Sequence, residues 1–372
     1  MIEHVDRVFA HDRFNGVEIL DHAASGPVIL DWAADGDLEP VRVTVHPGAF
    51  AGMVRKYVSR FKAEMLANLH GRSRGSFAPE FKKARVAVRI NREELVVAAV
   101  VGEAAPMSLN TGLYEVSFDG QPQILPSVGG ITPNVRVGHS AFAFMADHAE
   151  PGVTLRHPDA AQNTALNTLA CIGNEAVVVT GDAKGERGRV TGKHGGVEHV
   201  MVDFHPDVMR KMTVGDRVQI WSCGLGMRLL DAPGVKAFNA DPDLFAHMSV
   251  DIVGGRVRVR VAATIPAAVM GSGLGRSTVV RGDYDIQTFD DATAQEHGLR
   301  DLRLGDIVAI VDADHSFGRH YRTGAVSVGV VVHGRSFVAG HGPGVTTLLT
   351  STKGEIDVER DADANLATIL KL

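Results

Sequence analysis

The sequence predicts a mainly β chain of the α+β class, with barrel-like β domains and an N-terminal α-containing extension. Glycine accounts for 41 of the 372 residues and aromatic residues for only 6%, whereas glycine averages about 7% in proteins. Much of the chain also carries short apolar runs, alternating with period two or continuous, that are bounded by turn residues. Together these observations indicate many short strands joined by tight turns rather than a helical bundle.

The N-terminal part of the chain differs from the rest. Across 50–70, apolar residues recur at i, i+3, i+4 and i+7, which predicts an amphipathic helix that ends at His70-Gly71. The Gly- and Ser-rich segment 71–76 then predicts a flexible joint. The helix either packs on its own domain or serves in oligomerisation or as a lid. We predict three segments: an α-containing extension at 1–85 and β-rich domains at 86–168 and 169–372.

The pattern becomes β beyond residue 85. Residues 85–90 alternate with period two, and 95–101 form a continuous apolar run. Further runs of this kind are at 176–180, 197–204, 256–262, 307–311 and 325–333. Gly215-Asp216 and Gly305-Asp306 each precede such a run, and Gly-Asp reverses a chain cheaply because Gly accepts positive φ and Asp bonds nearby amides. These pairs therefore predict turns that lead into strands.

Composition and charge exclude several classes of protein. A net charge of -6 gives no general attraction to nucleic acid or to an anionic membrane. The N-terminus lacks the apolar core of a signal peptide, and no stretch has the roughly 18 uncharged apolar residues of a membrane helix. Two cysteines, Cys171 and Cys223, fit free thiols in a reducing compartment. We therefore expect a cytoplasmic homo-oligomer that acts on a small molecule, without membrane or nucleic-acid partners.

The segment 175–203 is the first that can carry chemistry. It follows the order strand, glycine turn, strand, glycine turn, strand, and it resembles the KOW-type hairpin of SH3-like barrels. Its polar side chains exceed what a bare hairpin needs: Asp182, Lys184, Lys193, His194 and His199. We predict Asp182 or Glu175 as a general base, Lys184 or Lys193 as an oxyanion stabiliser, and His194 as a metal ligand. The alternative is that they are solvated turn residues.

Two later segments add candidate ligands. Asp312 and Asp314 follow the run 307–311, while His333 ends the run 325–333 and His341 lies in a Gly- and Pro-rich turn. Since both runs belong to one predicted hairpin pair, we expect these four side chains to converge. Imidazole and carboxylate ligands suit Zn, Mn or Fe. The alternative is a polar, hydrogen-bonded turn.

Other acids and histidines occur near predicted strands. Asp283 and Asp285 can add carboxylates to the same pocket, and Asp147 and His148 also follow a strand. Cys171 is a possible nucleophile, but a buried structural thiol is the favoured interpretation.

Several long motifs occur in an order that resembles one known family. They are CIGNEA (171–176), GDAKG (181–185), TGKHGGVEHV (191–200), MGSGLG (270–275), DYDI (283–286), GAVSVGVVVH (324–333) and AGHGPGV (339–345). The family consists of prokaryotic proteins catalogued as a domain of unknown function, with a structural-genomics representative. The resemblance runs from about Asn91 to about Leu349 and implies a mostly β fold with barrel-like parts. It implies no activity.

A looser likeness covers about forty residues from Leu304 to Gly342, which are similar in style to acetamidase/formamidase-type amide hydrolases. With the candidate metal ligands, it favours a metal-assisted hydrolase of a small amide or cyclic C–N substrate. Two alternatives stay open: a lyase or isomerase acting on a small carboxylate, and a non-catalytic binding or assembly protein that uses the KOW-like barrel.

Overall fold

The chain divides into two units. The computed structural model describes the strand backbones at 14–20, 28–34 and 41–45, and residues 88–109, 114–273 and 278–372 with their side chains. Unit 1 is Met1–Val86 and unit 2 is Ala87–Leu372. The finer division at 168 stays a prediction.

Unit 1 contains a three-stranded antiparallel sheet. Its strands are β1 (Phe14–Leu20), β2 (Val28–Ala34) and β3 (Val41–Val45), with β2 in the centre. The helix predicted over 50–70 and the joint predicted at 71–76 lie outside the described residues.

Unit 2 is built mainly of strands. In its first half these are β4 (Ala98–Ala104), β5 (Glu115–Val116), β6 (Pro122–Gln123), β7 (Ile131–Thr132), β8 (Gly152–Arg156), β9 (Glu175–Val178), β10 (Arg187–His194), β11 (His199–Asp203) and β12 (Arg217–Ser222). In its second half they are β13 (Lys236–Ala237), β14 (Asp251–Val253), β15 (Arg256–Val261), β16 (Ala263–Pro266), β17 (Tyr284–Asp285), β18 (Ile307–Asp314), β19 (His320–Val331), β20 (Gly344–Ser351) and β21 (Ile356–Arg360).

The helices described in unit 2 are short. The α-helices are α1 (Ala160–Leu169), α2 (Pro206–Met209), α3 (Leu244–His247), α4 (Asp291–Glu296) and α5 (Leu366–Leu370). Three 3-10 turns lie at Arg92–Glu94, Ala267–Val269 and Leu299–Asp301. Within the described part of the chain, no helix has the length and apolar character needed to cross a membrane.

Six strands of unit 2 close into an antiparallel barrel. The path runs β11-β10-β9-β12-β4-β8, and the pairing of β8 with β11 closes it. Closure matters because it removes the free strand edges that an open sheet would expose. On β12, buried Val218 and Ile220 alternate with exposed Arg217 and Trp221, so one face of the strand fills the barrel. The predicted barrel-like fold is confirmed.

The predicted hairpin element is the β9-β10-β11 meander of this barrel. β10 pairs antiparallel with both β9 and β11. Gly185 and Gly196 lie in the two connections with φ of +93° and +80°, a backbone region that glycine enters without steric cost. The order strand, turn, strand, turn, strand is therefore confirmed.

A second sheet of six strands lies beside the barrel. Its order is β13-β20-β19-β18-β16, with β17 on β20, and only the β16–β18 pairing is parallel. Alternate residues of β18 enter different hydrophobic clusters: Ile307 and Ala309 one, Val308 and Ile310 the other. The sheet is therefore covered on both faces, which explains why its strands read as continuous apolar runs.

The remaining sheets of unit 2 are small. One has the order β14-β15-β21, with β15 and β21 parallel, and the other is the β5–β6 pair. The two predicted Gly-Asp turns are confirmed: Asp216 accepts a hydrogen bond from the backbone N–H of Thr213 at 2.8 Å, and Asp306 accepts one from that of Arg303 at 2.7 Å. Each turn leads directly into a strand, β12 or β18.

Candidate metal centre

The barrel and the second sheet meet at the end of β10. The Thr346 hydroxyl on β20 donates to the carbonyl oxygen of Lys193 at 3.0 Å, and the backbone N–H of Gly195 donates to Asp283 Oδ1 at 2.8 Å. These contacts bring His194 next to β17 and to the residues that follow β19. The seam therefore gathers polar side chains from segments that are far apart in sequence.

Three histidines form the centre of this seam. His148, His194 and His333 are all buried, and each offers a ring nitrogen within 4.8 Å of the other two. The rings of His194 and His333 are stacked with centroids 4.1 Å apart, and those of His148 and His333 lie 5.0 Å apart. Such a set of imidazoles is a common donor set for a divalent metal.

The Nδ1 atom of each histidine is held by an oxygen. Glu150 Oε1 lies 2.5 Å from Nδ1 of His194, Asp147 Oδ2 lies 2.5 Å from Nδ1 of His148, and the carbonyl oxygen of Gly334 lies 2.9 Å from Nδ1 of His333. Metal-bound histidines in proteins use the second ring nitrogen in this way, which fixes tautomer and ring orientation. The Nε2 atoms face the interior of the cluster, where that of His148 lies 3.2 Å from Nδ1 of His341.

Two carboxylates and a fourth histidine complete the cluster. Asp283 Oδ2 lies 2.7 Å from Nε2 of His333, and Asp285 Oδ1 lies 3.5 Å from the same atom. The other oxygen of Asp285, Oδ2, lies 2.9 Å from Nδ1 of His341 and 3.6 Å from Nε2 of His148. The side chain of His341 is 35% exposed, so the cluster opens to solvent on that side.

Two buried atoms of the cluster lack hydrogen-bond partners. Nε2 of His333 and Oδ2 of Asp283 are 2.7 Å apart but do not have hydrogen-bonding geometry, and neither has another partner. Leaving such atoms buried and unsatisfied is costly. A Cβ at Gly344 would lie 1.9 Å from this Asp283 oxygen and 2.2 Å from the His333 nitrogen. Glycine there keeps clear the space toward which both atoms point.

The acids of the cluster set the ionisation of its histidines. Burial lowers the pKa of His148, but Asp147 and Asp285 outweigh it and raise that pKa to about 9. Burial also opposes charge on His333, but Asp283 and Asp285 hold its pKa well above the usual value. The same negative field would favour a divalent cation.

The pKa shifts of His194, Glu150 and Asp285 favour the ionisation states that metal ligands and their hydrogen-bond partners need. Burial and the charge of His333 lower the pKa of His194, which keeps its imidazole neutral. Burial opposes ionisation of Glu150 and Asp285, but neighbouring histidines hold both pKa values well below the usual range. Glu150 also accepts from the backbone N–H of Gly129 at 2.7 Å, so it is a fixed anion.

The structure brings together three of the five predicted metal ligands: His194, His333 and His341. It does not bring Asp312 and Asp314 to them, because β18 and β19 are antiparallel. Asp314 pairs with His320, whereas Val330 pairs with Ile307 at the other end of the hairpin. Seven residues separate the two ends, on the order of 20 Å at about 3.3 Å per residue.

The carboxylates at that far end are bound to their own loops. Asp312 accepts from the backbone N–H of Gly324 at 2.7 Å. Asp314 accepts from the backbone N–H of Ser316 and from the hydroxyl of Thr352, both at 2.9 Å.

Three of the predicted catalytic residues lie at the opposite end of β10 from His194. Glu175 accepts a hydrogen bond from Arg187 at 2.7 Å, and Asp182 and Lys184 are exposed in the β9–β10 connection. Arg187 and His194 are the two ends of β10, on the order of 20 Å apart at about 3.3 Å per residue. The structure therefore places all three away from the histidines.

Lys193 adjoins His194 but points to the other face of β10, as alternation along a strand requires. Its buried Nζ donates to Asn239 Oδ1 at 2.9 Å and to the carbonyl oxygen of Val280 at 2.8 Å. Burial lowers its pKa to about 8. Asn239 and Val280 also line a largely apolar cavity of about 560 Å³, whose lining includes none of the cluster residues. Lys193 thus faces a different region from the metal candidates.

Sequence reasoning did not assign roles to three residues of the cluster and its supports, and the prediction that Asp147 and His148 follow a strand is wrong. Asp147, His148 and Glu150 lie in an irregular segment before β8, and His148 has a φ of +55°. Their signal is a dense run of acids and histidine, Asp147-His148-Ala149-Glu150, without strand or helix periodicity. Both cysteines are free, and burial raises the pKa of Cys171 to about 11, so its thiol is poorly reactive.

Comparison with known proteins identifies relatives without a described activity. The N-terminal family model described as "Domain of unknown function (DUF4438)" matches residues 114–246, and its C-terminal counterpart matches 247–370. The crystal structure of TM1086 is 47% identical, covers 75% of this chain and 98% of its own, and superposes with a TM-score of 0.72. No curated protein matches. The predicted resemblance to a family of unknown function with a structural-genomics representative is confirmed.

Proposed function

We propose that the chain, which belongs to the DUF4438 family, is a metal-dependent hydrolase of a small amide or cyclic C–N substrate. One observation carries the proposal: the buried histidines His148, His194 and His333 converge on one point, with each Nδ1 held by an oxygen. Zn, Mn and Fe are the metals that imidazole and carboxylate donors suit.

The side chains divide into holding and orienting groups. His148, His194 and His333 would hold a divalent ion, and Asp147 and Glu150 keep two of these rings in place through Nδ1. A bound divalent ion supplies polarisation of a substrate carbonyl and a water of lowered pKa.

Access to the centre comes from the side of His341. The side chains of His148, His194 and His333 are each at most 8% exposed, whereas that of His341 is 35% exposed. A substrate would therefore approach a bound ion past this imidazole.

The choice of a C–N bond is supported by the likeness of residues 304–342 to acetamidase/formamidase-type hydrolases. That stretch contains β18, β19 and His333, and thus includes one of the proposed ligands. We further propose that the protein is a homo-oligomer in the cytoplasm. The two free thiols support the cytoplasmic location.

The test is metal-dependent release of ammonia or ring opening. Protein stripped with a chelator is assayed against small linear and cyclic amides, before and after addition of Zn²⁺, Mn²⁺ or Fe²⁺. We expect turnover only with metal, its loss in His148→Ala, and its retention in His320→Ala, since His320 is exposed on β19. Incorporation of ¹⁸O from labelled water separates hydrolysis from the lyase and isomerase alternatives.

Two outcomes contradict the proposal. One is turnover of these amides that chelation and His148→Ala leave unchanged. The other is the absence of C–N hydrolysis from protein that has been shown to hold its metal.

A further inference from the structure

We infer that the centre holds two divalent ions bridged by the carboxylate of Asp285. The inference rests on the proposed function and narrows it to hydrolysis by a two-metal centre, in which His148 binds the second ion instead of sharing one ion with His194 and His333. It starts from the fact that the two oxygens of Asp285 face different donors.

The first set of donors lies around Asp285 Oδ1. His333 Nε2 lies 3.5 Å from this oxygen and 2.7 Å from Asp283 Oδ2. Asp283, Asp285 and His333 each offer one atom within 4.8 Å of the other two, and His194 offers a ring nitrogen within 4.8 Å of that of His333. The unpartnered atoms of His333 and Asp283 belong to this set, so the first ion would satisfy both.

The second set lies around Asp285 Oδ2. His341 Nδ1 is 2.9 Å away, His148 Nε2 is 3.6 Å away, and these two nitrogens are 3.2 Å apart. Three donors from one carboxylate and two imidazoles are typical of a catalytic metal with open positions.

The spacing within each set fits bonds to a metal. With bonds of about 2.0–2.2 Å and the bond angles of octahedral to tetrahedral sites, neighbouring ligand atoms of one ion lie roughly 2.8–3.6 Å apart. The distances in the two sets run from 2.7 to 3.6 Å. A carboxylate that offers one oxygen to each of two ions suits the separation of about 3.5–4 Å found in two-metal hydrolytic sites.

Donor number and charge also favour two ions. Four histidines and two aspartates exceed the four ligands that zinc takes in most sites, but they supply two ions that share Asp285. The carboxylates in the cluster and behind it are Asp147, Glu150, Asp283 and Asp285. Their four negative charges equal the positive charge of two divalent ions, so the buried charge is balanced when all the histidines are neutral ligands.

The two ions differ in exposure. Side chains of the first set are at most 8% exposed, while the second set includes His341 at 35%. The second ion is therefore the more exchangeable one, and it lies where substrate enters.

The experiment counts ions and measures their coupling. Chelator-stripped full-length protein is loaded with Mn²⁺ alone, passed through a desalting column and analysed for bound Mn²⁺ and by electron paramagnetic resonance. We expect two ions per chain with a spin-coupled spectrum. His341→Ala should hold one ion with an uncoupled six-line spectrum, and His320→Ala, with a histidine removed from the far end of β19, should match the parent protein.

The possible failures are distinguishable. One ion per chain in the parent protein overturns the two-metal inference and leaves the proposed function standing. Two ions without spin coupling, or two ions retained in His341→Ala, overturn the bridge and the ligand assignment. No bound Mn²⁺, and none after a parallel loading with Zn²⁺, overturns both proposals.

Discussion

The two ends of the β18–β19 hairpin both carry aspartate and histidine, but they use them differently. At one end, the buried Nε2 of His333 and Oδ2 of Asp283 form an ion pair at 2.7 Å, but neither atom has a hydrogen bond. At the other, Asp312 and Asp314 accept hydrogen bonds from their own loops. A carboxylate saturated by backbone N–H groups stabilises a turn, whereas unsatisfied donors that face one point are available to a ligand.

The difference lies in what surrounds each end. At the Asp314 end, the hydrogen-bond donor comes from the adjacent loop: the backbone N–H of Ser316, two residues along the chain, donates to Asp314. The His333 end lies at the seam between barrel and sheet. There, side chains from segments more than a hundred residues apart in sequence, such as His148 and Asp285, lie close together. Such a seam fixes donors on rigid strands, and this suits a metal centre.

The largest expected effect is the difference in metal affinity and turnover between a substitution at the His333 end of the hairpin and one at the Asp314 end. His333→Ala should lower metal affinity and turnover by more than about 100-fold, because even residues that only orient a ligand cost 10–100-fold. Asp314→Asn should leave both within about twofold. Metal analysis and steady-state kinetics of the two variants check this, and equal losses in both would abolish the contrast.

Metal removal should destabilise the protein only where the ligands at the His333 end of the hairpin are intact. At ion concentrations of 100 to 1,000 times Kd, bound metal contributes about 3–4 kcal/mol to the free energy of unfolding. We expect a chelator to lower Tm in the parent protein and in Asp314→Asn. His333→Ala should already unfold at the lower temperature and show little further change, and a chelator shift of parental size in that variant would contradict the account.

A substitution at Glu150 tests whether the carboxylate that contacts Nδ1 of His194 contributes to metal affinity. Glu150→Gln keeps the shape of the side chain but weakens the interaction with Nδ1 of His194, so metal affinity should fall about 10- to 100-fold. The matched control is Glu186→Gln, since Glu186 is exposed on the same barrel. Competition with a chromophoric chelator measures both affinities. An unchanged affinity in Glu150→Gln would mean that metal binding by His194 does not depend on the negative charge of Glu150.

His315 lies at the Asp314 end of the hairpin, where its buried ring has one hydrogen bond, between Nδ1 and the Thr347 hydroxyl at 2.7 Å. Its Nε2 has no hydrogen-bond partner, and burial lowers its pKa to about 3, against about 6.5 in an unfolded chain. Below pH 6.5 the unfolded state therefore binds a proton that the folded state does not. Its contribution to stability should fall by about 1.4 kcal/mol per pH unit as the pH falls toward 3.

Urea unfolding between pH 6.5 and 5 measures that slope. We expect His315→Asn to reduce it by close to one proton and His320→Asn, at an exposed position nearby, to leave it unchanged. The same slope in His315→Asn would show that His315 is protonated in the folded protein.

Much of the fold was accessible to sequence reasoning. Alternation and apolar runs locate β15, β18 and β19, and glycine turns locate the β9–β11 meander, because both signals are local. His194 and His333 were found for the same reason, since each lies where a strand meets a glycine turn.

The candidate site was only partly accessible. Asp312 and His333 each follow an apolar run, yet an antiparallel hairpin places the end of its second strand beside the start of its first. That register separates Asp312 from His333. His148 was noted from the sequence but not placed with His194, and Glu150 was not singled out, because an irregular segment has no periodicity and only the tertiary fold brings it to His194.

The most direct test of the metal centre is anomalous diffraction at the zinc absorption edge, from crystals of Zn²⁺-loaded protein. The account predicts a peak within about 2.0–2.1 Å of Nε2 of His333 and of its neighbouring histidines. A zinc peak at Asp312 and Asp314, or no peak among His148, His194 and His333, would contradict it.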